Sequence, residues 1–206
     1  MLTTGQILRQ VIPSLPHERA EKLSDMINYR CPKYGIDTPD ILHEFIANLA
    51  HESGGFAIKD ENLSYSAERL LVIFESRFKD LAHAKQYARN PEKLGNYVYG
   101  KRMGNNQPGD GYKFRGGGFC QLTGREIYEE YKAHVAFSTI DELAKCIRTD
   151  DYYALDSSCW FFANKKKLLT LASNDNFKLI IKMWNGGYNG LHDRNVYYYR
   201  AKKFIV

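Results

Sequence analysis

Two glutamates placed nine residues apart, Glu52 and Glu61, are the side chains of this sequence best suited to catalysis. A carboxyl pair can hydrolyse a glycosidic bond, because one group protonates the leaving oxygen while the other, ionised, activates water or stabilises a cation-like transition state. Glu52 ends a helical pattern beside apolar residues, where partial burial favours the protonated form. Glu61 lies in a polar turn, which suits an ionised group. Glutamate pairs that flank a turn are structural in most proteins, so the spacing alone leaves that alternative open.

Other catalytic and metal-binding motifs are incomplete in this sequence. His43-Glu44 and His51-Glu52 both begin like the zinc motif H-E-x-x-H, but Ala47 and Gly55 stand at the position of the second histidine. The Gly-rich stretch Arg115–Gly118 lacks the Lys-Ser/Thr pair of a phosphate-binding loop, and no G-x-S-x-G motif occurs. We therefore expect neither a metal nor another cofactor.

The cysteines and the N-terminus bear on the cellular compartment. Cys31, Cys120, Cys146 and Cys159 are widely spaced and form no C-x-x-C pair, which predicts reduced, partly buried thiols in preference to disulfides or a zinc site. The N-terminus has no basic start followed by an apolar stretch, and no apolar run could span a bilayer. The sequence thus predicts a protein without a signal peptide, which stays in a cytoplasm until something else releases it.

Length and composition predict one globular domain. The 206 residues are 44% hydrophobic and 26% charged, which is enough apolar mass for a core. We interpret 1–206 as a single catalytic domain with a helical N-terminal segment, 1–36, packed on it. The net charge of +5 is uneven, since the chain from Lys165 onward has nine Lys or Arg against two Asp. This basic third favours an anionic partner such as a bacterial envelope, although a solvated helical face is an equal alternative, and no motif indicates nucleic acid.

The helix that carries Glu52 is the clearest element, expected over about Pro39–Ser53 after the cap Thr38. Its apolar stripe consists of Leu42, Phe45, Ile46 and Leu49. Three polar residues point away from that stripe: Glu44, Asn48 and His51. Glu52 lies at the edge of the stripe, at the last turn of the helix.

The rest of the chain also has mainly helical patterns, separated by turns at Gly and Pro. Phe56 and Ile58 alternate with small or polar residues and suggest a short strand. Nine of the sixteen glycines lie between Gly95 and Gly124, which predicts a long functional connection that its aromatic residues keep ordered. Further helices are expected over 5–31 with a break near Pro13 and Pro16, and over 66–79, 81–88, 124–133, 139–147, 151–164, 174–184 and 192–204.

Four motifs, in this order along the chain, resemble glycoside hydrolase family 19. They are His51–Phe56, Glu61–Ser66, Arg115–Gly124, and Trp184–Gly187 followed by Asp193-Arg194. That family contains plant and bacterial chitinases and many phage endolysins. The resemblance covers about 36–194, which is most of the chain, and the combination of motifs is more specific than any one of them.

The resemblance implies a mainly α-helical, lysozyme-like fold with two lobes, a central groove and a small β-hairpin or loop region. It implies that Glu52 is the general acid and Glu61 the general base of an inverting mechanism, and that Thr123 helps to hold the attacking water. The implied substrate-binding residues are Gln121, Tyr112, Asn185 and Tyr128. The implied supporting residues are Arg194 and His51. One departure is Gly117, where the family commonly has an arginine, and this puts the anchoring of the loop in question.

Several of these residues have a purely structural alternative. Gln121 and Thr123 could cap the helix that follows them. Asn185 could serve only its own turn, since Asn often precedes Gly in turns. Arg194 could form a surface ion pair. The two tryptophans are expected in the core and not at sugar subsites: Trp160 and Trp184.

These features predict an endolysin-like hydrolase that cleaves β-1,4 glycosidic bonds in the glycan strands of bacterial peptidoglycan. Such a protein waits as a monomer in the host cytoplasm, leaves it after a holin opens the inner membrane, and acts on the cell wall. The missing secretion signal, disulfide pattern and chitin-binding module favour peptidoglycan over chitin. A chitinase is the alternative within the family. From other classes, a non-catalytic glycan-binding module and a membrane-disrupting protein acting through the basic segment Val196–Val206 stay open.

Overall fold

The computed structural model describes all 206 residues, and it confirms the prediction of a mainly α-helical fold. The β contacts are isolated bridges that join Gly117 to Asp60 and to Leu122, so a loop stands where a hairpin or loop was expected. None of the helices combines the length and the apolar character that crossing a membrane requires. The α-helices are α1 (Gly5–Val11), α2 (His17–Arg30), α3 (Pro39–Glu52), α4 (Ala67–Ile73), α5 (Leu81–Lys85), α6 (Pro91–Tyr99), α7 (Asp110–Lys113), α8 (Arg125–His134), α9 (Ile140–Thr149), α10 (Asp151–Trp160), α11 (Leu169–Ser173), α12 (Phe177–Asn185) and α13 (Leu191–Phe204).

The chain forms two compact units. Unit 1 comprises Met1–Lys59, Gly118–Cys120 and Asp150–Val206, and unit 2 comprises Asp60–Gly117 and Gln121–Thr149. Unit 1 therefore contains α1–α3 and α10–α13, and unit 2 contains α4–α9. The N-terminal segment lies within unit 1, where α1 packs on α2 and α13, and α2 packs on α10.

Helix α3 forms where the sequence predicts it and brings Glu52 to the end of a buried helix. The Thr38 side chain accepts a hydrogen bond from the Ile41 N–H at 3.5 Å, and Pro39 occupies the first turn. After Glu52, the pair Gly54–Gly55 adopts positive φ angles of 57° and 74°. Glycine adopts such angles without steric cost, so the chain can reverse at this point.

The polar side of α3 is buried as well as its apolar stripe. Glu44 and Asn48 are fully buried, because α13 packs along α3 and covers them. The amphipathic pattern of α3 alone does not reveal this partner, since α13 comes from the far end of the chain. Both sides of the helix that carries Glu52 are therefore fixed by packing.

Helix α13 places its own apolar side chains in the core of unit 1. Tyr198 and Ala201 of the helix and Ile205 directly after it are almost fully buried, and the helix contacts both α1 and α3. A membrane-disrupting role for Val196–Val206 needs these same side chains to be available to lipid. Their burial removes the structural basis for that alternative.

Unit 2 has a separate apolar core around α4 and α6. It consists of Leu63, Ala67, Leu70, Phe78, Ala84, Leu94 and Val98. Helix α6 begins after Asn90, whose side chain accepts a hydrogen bond from the Lys93 N–H at 3.0 Å. Gly95 lies so close to α7 that a Cβ there would be 2.9 Å from Tyr112 Cα. Close packing therefore orders the Gly-rich segment, part of which is helical and not a connection.

Several local predictions are corrected by the structure. The segment at Phe56 is a turn and not a strand, since Phe56 has a φ of 62°. Helix α4 ends at Ile73, short of the expected end near residue 79, because the backbone of Phe74 leaves the helical region at φ −121° and ψ 44°. Helix α11 was not predicted, and α12 begins at Phe177, later than expected.

Candidate active site

Glu52, in unit 1, is held through one of its two carboxyl oxygens. Its Oε1 pairs with the guanidinium group of Arg194. With the Asn185 amide oriented so that both of its polar groups are satisfied, Oε1 also accepts a hydrogen bond from Asn185 Nδ2 at 3.1 Å. The Oε2 atom has no hydrogen-bond partner, and 19% of the side chain is exposed. One oxygen is therefore fixed, and the other can meet a ligand.

Arg194 is a buried cation that joins the elements around Glu52. Its side chain is 1% exposed. Its three nitrogens donate to Asn48 Oδ1 at 2.6 Å, to Asn185 Oδ1 at 2.6 Å and to Asn189 O at 3.3 Å. A buried charge is costly unless it is paired and hydrogen-bonded, and each nitrogen of this group has a partner. The alternative of a surface ion pair is therefore wrong.

Asn185 and His51 complete this cluster. Asn185 is the last residue of α12, and Gly186, with a φ of 75°, makes the turn that follows, so the turn does not need the Asn185 side chain. His51 Nδ1 lies 2.6 Å from Asp193 Oδ2. This approach requires glycine at position 190, because a Cβ on Gly190 would lie 2.2 Å from the imidazole ring. The four predicted residues of unit 1 are thus brought together.

Glu61, in unit 2, is held through both carboxyl oxygens. The Tyr99 hydroxyl donates a hydrogen bond to Oε1 at 2.6 Å, and the Gly116 N–H donates one to Oε2 at 2.9 Å. Burial and the charge of Glu61 both raise the pKa of Tyr99, so the phenol keeps its proton and acts as a donor. Donors at both oxygens suit a carboxylate that works in its ionised form.

Tyr99 is a residue of this site that the sequence motifs do not reveal. It is the last residue of α6, and 38 positions separate it from Glu61. The one sequence signal for it is its membership of the aromatic residues in the Gly-rich segment. That signal does not distinguish Tyr99 from its aromatic neighbours.

The loop Gly116–Gly124 places Gln121 beside Glu61. A Cβ at Gly116 would lie 2.6 Å from Gln121 Oε1 and 3.3 Å from Glu61 Oε2, so both side chains border the same backbone position. The Thr123 hydroxyl donates to Gln121 O at 3.0 Å. Helix α8 follows the loop and has no side-chain cap, so the alternative that Gln121 or Thr123 caps it is wrong.

Comparison with known proteins identifies the family. No family model matches the chain. The glycosyl hydrolase family 19 domain-containing protein of Haemophilus influenzae (strain Rd) is 33% identical to it over 157 residues, which cover 73% of this chain and 72% of that protein. The chain belongs to glycosyl hydrolase family 19. It is therefore a glycoside hydrolase, as the four motifs predict.

Solved structures show the fold of this family 19 chain. Chitinase C from Streptomyces griseus is 14% identical, with a TM-score of 0.67 over 99% of this chain and 92% of that one. A bacterial family 19 chitinase is 16% identical, with a TM-score of 0.65 over 100% of this chain and 95% of that one. At sequence identities this low, the structural similarity shows the fold alone. It confirms the expected lysozyme-like fold.

Gly117, where the resemblance to family 19 leads us to expect an arginine, lies against the side chains of two other residues. A Cβ at Gly117 would lie 2.2 Å from the Tyr128 hydroxyl and 3.0 Å from Arg148 Cγ. Arg148, which comes from α9, donates to Lys113 O at 2.7 Å, and its Nε lies 3.6 Å from Asp60 Oδ1. An arginine is therefore present beside Gly117, but it comes from helix α9 and not from the loop itself.

Two tyrosines expected to bind substrate differ in exposure. Tyr128 is fully buried, packs on Phe114 and donates to Arg115 O at 3.1 Å. A substrate cannot reach it, so its assignment as a binding residue is wrong. Tyr112 is half-buried, and the Arg115 guanidinium lies 4.0 Å from its ring centre and covers one face. Both tryptophans are in the core as predicted: Trp160 and Trp184.

Proposed function

We propose that this family 19 hydrolase is an endolysin-like lysozyme that cleaves β-1,4 glycosidic bonds of bacterial peptidoglycan with inversion at the anomeric carbon. The observation that carries the chemistry is the contrast between the two glutamates. Glu52 keeps one carboxyl oxygen free of partners, whereas Glu61 accepts hydrogen bonds at both oxygens. A general acid and a general base need different surroundings of this kind.

Glu52 is the proposed general acid. Arg194 and Asn185 hold its Oε1, so Oε2 is the atom that presents the proton to the leaving glycosidic oxygen. As that bond breaks, the carboxyl group gains negative charge. The buried guanidinium group of Arg194 is already in contact with it and stabilises that charge without reorganisation.

Glu61 is the proposed general base. Its two donors, Tyr99 and the Gly116 N–H, fix the plane of the carboxylate, while each oxygen keeps a further lone pair for a water molecule. Thr123 and Gln121 are the proposed partners of that water and of the sugar. Inversion requires carboxyl groups about 6.5–9.5 Å apart with a water molecule between them, whereas a separation near 5 Å would imply retention.

The surface charge supports peptidoglycan as the polymer. The C-terminal third exposes a set of lysines: Lys165, Lys167, Lys178, Lys182, Lys202 and Lys203. Such a surface attracts the anionic bacterial envelope, whereas chitin is a neutral polymer. In keeping with this substrate, we propose that the protein acts as a monomer on the cell wall after a holin releases it from the host cytoplasm.

A chitinase is the second candidate function. Two solved structures that share this fold are chitinases. Chitin and peptidoglycan share β-1,4-linked N-acetylated hexosamines, so the same acid–base pair would serve on either polymer. The choice between them depends on contacts outside the acid–base pair.

The test compares purified peptidoglycan sacculi with colloidal chitin as substrates for the wild type, Glu52→Gln and Glu18→Gln. Glu18 is an exposed carboxylate of unit 1 and provides the matched control. We expect the wild type and Glu18→Gln to release muropeptides from sacculi and little sugar from chitin. Glu52→Gln should lose at least roughly 100-fold in rate, because general acid catalysis is removed. Mass analysis of the new reducing ends identifies the bond, and a lysozyme leaves N-acetylmuramic acid there.

Two outcomes would contradict the proposal in different ways. Release of sugar from chitin but not from sacculi would assign the protein as a chitinase and leave the acid–base pair in place. Lysis of permeabilised bacteria by Glu52→Gln at the rate of the wild type would exclude the enzymatic explanation altogether.

A further inference from the structure

Two of the four cysteines, Cys31 and Cys159, lie side by side in the interior of unit 1. Their Sγ atoms are 3.7 Å apart although 128 positions separate them in the sequence. Both residues are fully buried, and both are free thiols in this structure. The wide sequence spacing gives no sign of this proximity.

A buried cluster around Asp156 holds the two cysteines close to each other. Asp156, which precedes Cys159 by one helical turn on α10, is 1% exposed. Its Oδ1 accepts hydrogen bonds from Arg30 Nε at 2.7 Å and from the Tyr34 hydroxyl at 2.9 Å. Arg30 and Tyr34 flank Cys31, so the same contacts that hold this segment against α10 also hold the two thiols together.

The distance between the two sulfur atoms is not much longer than a disulfide bond. A disulfide needs its sulfurs about 2.05 Å apart and its Cβ atoms about 3.5–4.5 Å apart. The sulfurs of Cys31 and Cys159, which are 3.7 Å apart, therefore have to approach by less than about 2 Å.

We propose that Cys31 and Cys159 are an oxidation site that closes into a disulfide when the chain folds in contact with a disulfide oxidant. The oxidant is a small-molecule or protein disulfide, for which oxidised glutathione is the probe. One cysteine, as thiolate, attacks the oxidant and displaces one thiol, and the second cysteine then displaces the other from the mixed disulfide. In total two cysteine thiols lose two protons and two electrons, and the oxidant disulfide is reduced to two thiols.

The order of events follows from burial. Both thiols are fully buried, so an oxidant does not reach them in the folded protein, and burial also raises the pKa of the Cys159 thiol. The bond therefore forms while the chain folds, or when the segment at Cys31 opens locally. Once formed, it joins the end of α2 to α10 and encloses the chain between them, including α3. A cross-link over so long a loop restricts the unfolded chain and stabilises the folded one.

The test refolds the wild type from denaturant in parallel in a glutathione redox buffer and in a reducing buffer. Peptide mass spectrometry should find a Cys31–Cys159 cross-link, with a loss of two hydrogens, in the first sample only. The oxidised protein should unfold at a temperature on the order of 5–10 °C higher than the reduced one. Cys159→Ala should abolish both effects, and the control Cys146→Ala should keep both. Activity on the proposed substrate is not expected to differ between the two forms.

Three results would overturn the proposal. Four thiols per chain after refolding in the redox buffer would show that the pair does not oxidise. A cross-link through Cys120 or Cys146 instead would show that the contact does not direct the reaction. A lower unfolding temperature for the oxidised form would show that the bond distorts the fold.

Discussion

Replacing Glu44 by glutamine should stabilise this protein near neutral pH. The Glu44 side chain is fully buried beneath α13, and neither of its carboxyl oxygens has a hydrogen-bond partner. An ionised carboxylate in such a place is costly, since it has lost its water and gained no partner. Glu44 belongs to the same helix as Glu52 but takes no part in the proposed chemistry.

The size of the effect follows from the titration of Glu44. Burial raises its pKa from 4.5 to about 8, the charges of Asp175 and Asp40 act in the same direction, and Lys202 opposes them. Between these two values the folded protein binds a proton that the unfolded chain does not, so the free energy of unfolding falls as the pH rises. At about 1.4 kcal/mol per pKa unit, the carboxyl group costs about 3 kcal/mol at pH 7 and almost nothing below its unfolded pKa.

Glutamine has nearly the same shape and does not titrate. We therefore expect Glu44→Gln to raise the free energy of unfolding by about 3 kcal/mol at pH 7 and to leave it almost unchanged in mild acid. Urea unfolding, followed by circular dichroism across the interval from pH 4.5 to 8, measures this difference. The exposed-site variant Glu18→Gln is the control. His43, whose buried Nδ1 has no hydrogen-bond partner and lies 3.9 Å from Asp40 Oδ1, is present in every variant.

Two results would refute this reasoning about the stability of the wild type and Glu44→Gln. If the wild type and Glu44→Gln lose stability equally as the pH rises through this interval, Glu44 is not the group that titrates. If Glu44→Gln is less stable than the wild type at every pH, the Glu44 carboxyl group makes a stabilising contact that glutamine cannot make, and the premise of an unpartnered carboxyl group is wrong.

Three further predictions concern the proposed site. Tyr99→Phe removes the donor to Glu61 Oε1, and we expect kcat to fall roughly 10- to 100-fold with KM little changed, since the loss concerns the transition state; a change in KM alone would contradict this. Arg148→Ala removes the contacts to Lys113 O and Asp60, so we expect it to lower the free energy of unfolding by about 1–3 kcal/mol in urea titrations. The control Arg9→Ala, at an exposed position, should leave that free energy unchanged. Proton NMR of the first products should show the inverted α-anomer, and an initial β-anomer would indicate retention.

The part of the site that the sequence reveals is the part that lies in short, contiguous motifs. Helix α3 and its end at Glu52 follow from local signals, namely the cap at Thr38, the apolar stripe and the glycine pair. The family motifs add Asn185, Arg194 and the loop with Gln121, which the structure places around the two glutamates.

What the sequence does not reveal depends on contacts between distant segments. Tyr99 reaches Glu61 because α6 ends beside it, and Arg148 reaches the loop at Gly117 from α9. Tyr128 has the residue type of a sugar platform, but the packing of α8 turns it into the core. The burial of Glu44 is likewise decided by a helix that no local pattern on α3 can predict.

The chain leaves unit 1 after Lys59, contributes only Gly118–Cys120 to it in between, and completes it from Asp150 onward. Arg194 and Asn185, which surround Glu52, are therefore synthesised after the whole of unit 2. While synthesis proceeds, unit 2 has its full sequence well before unit 1 does, although domains tend to fold in order from the N-terminus. A polypeptide cut short before α12 carries Glu52 but neither of the groups that hold its carboxyl oxygen.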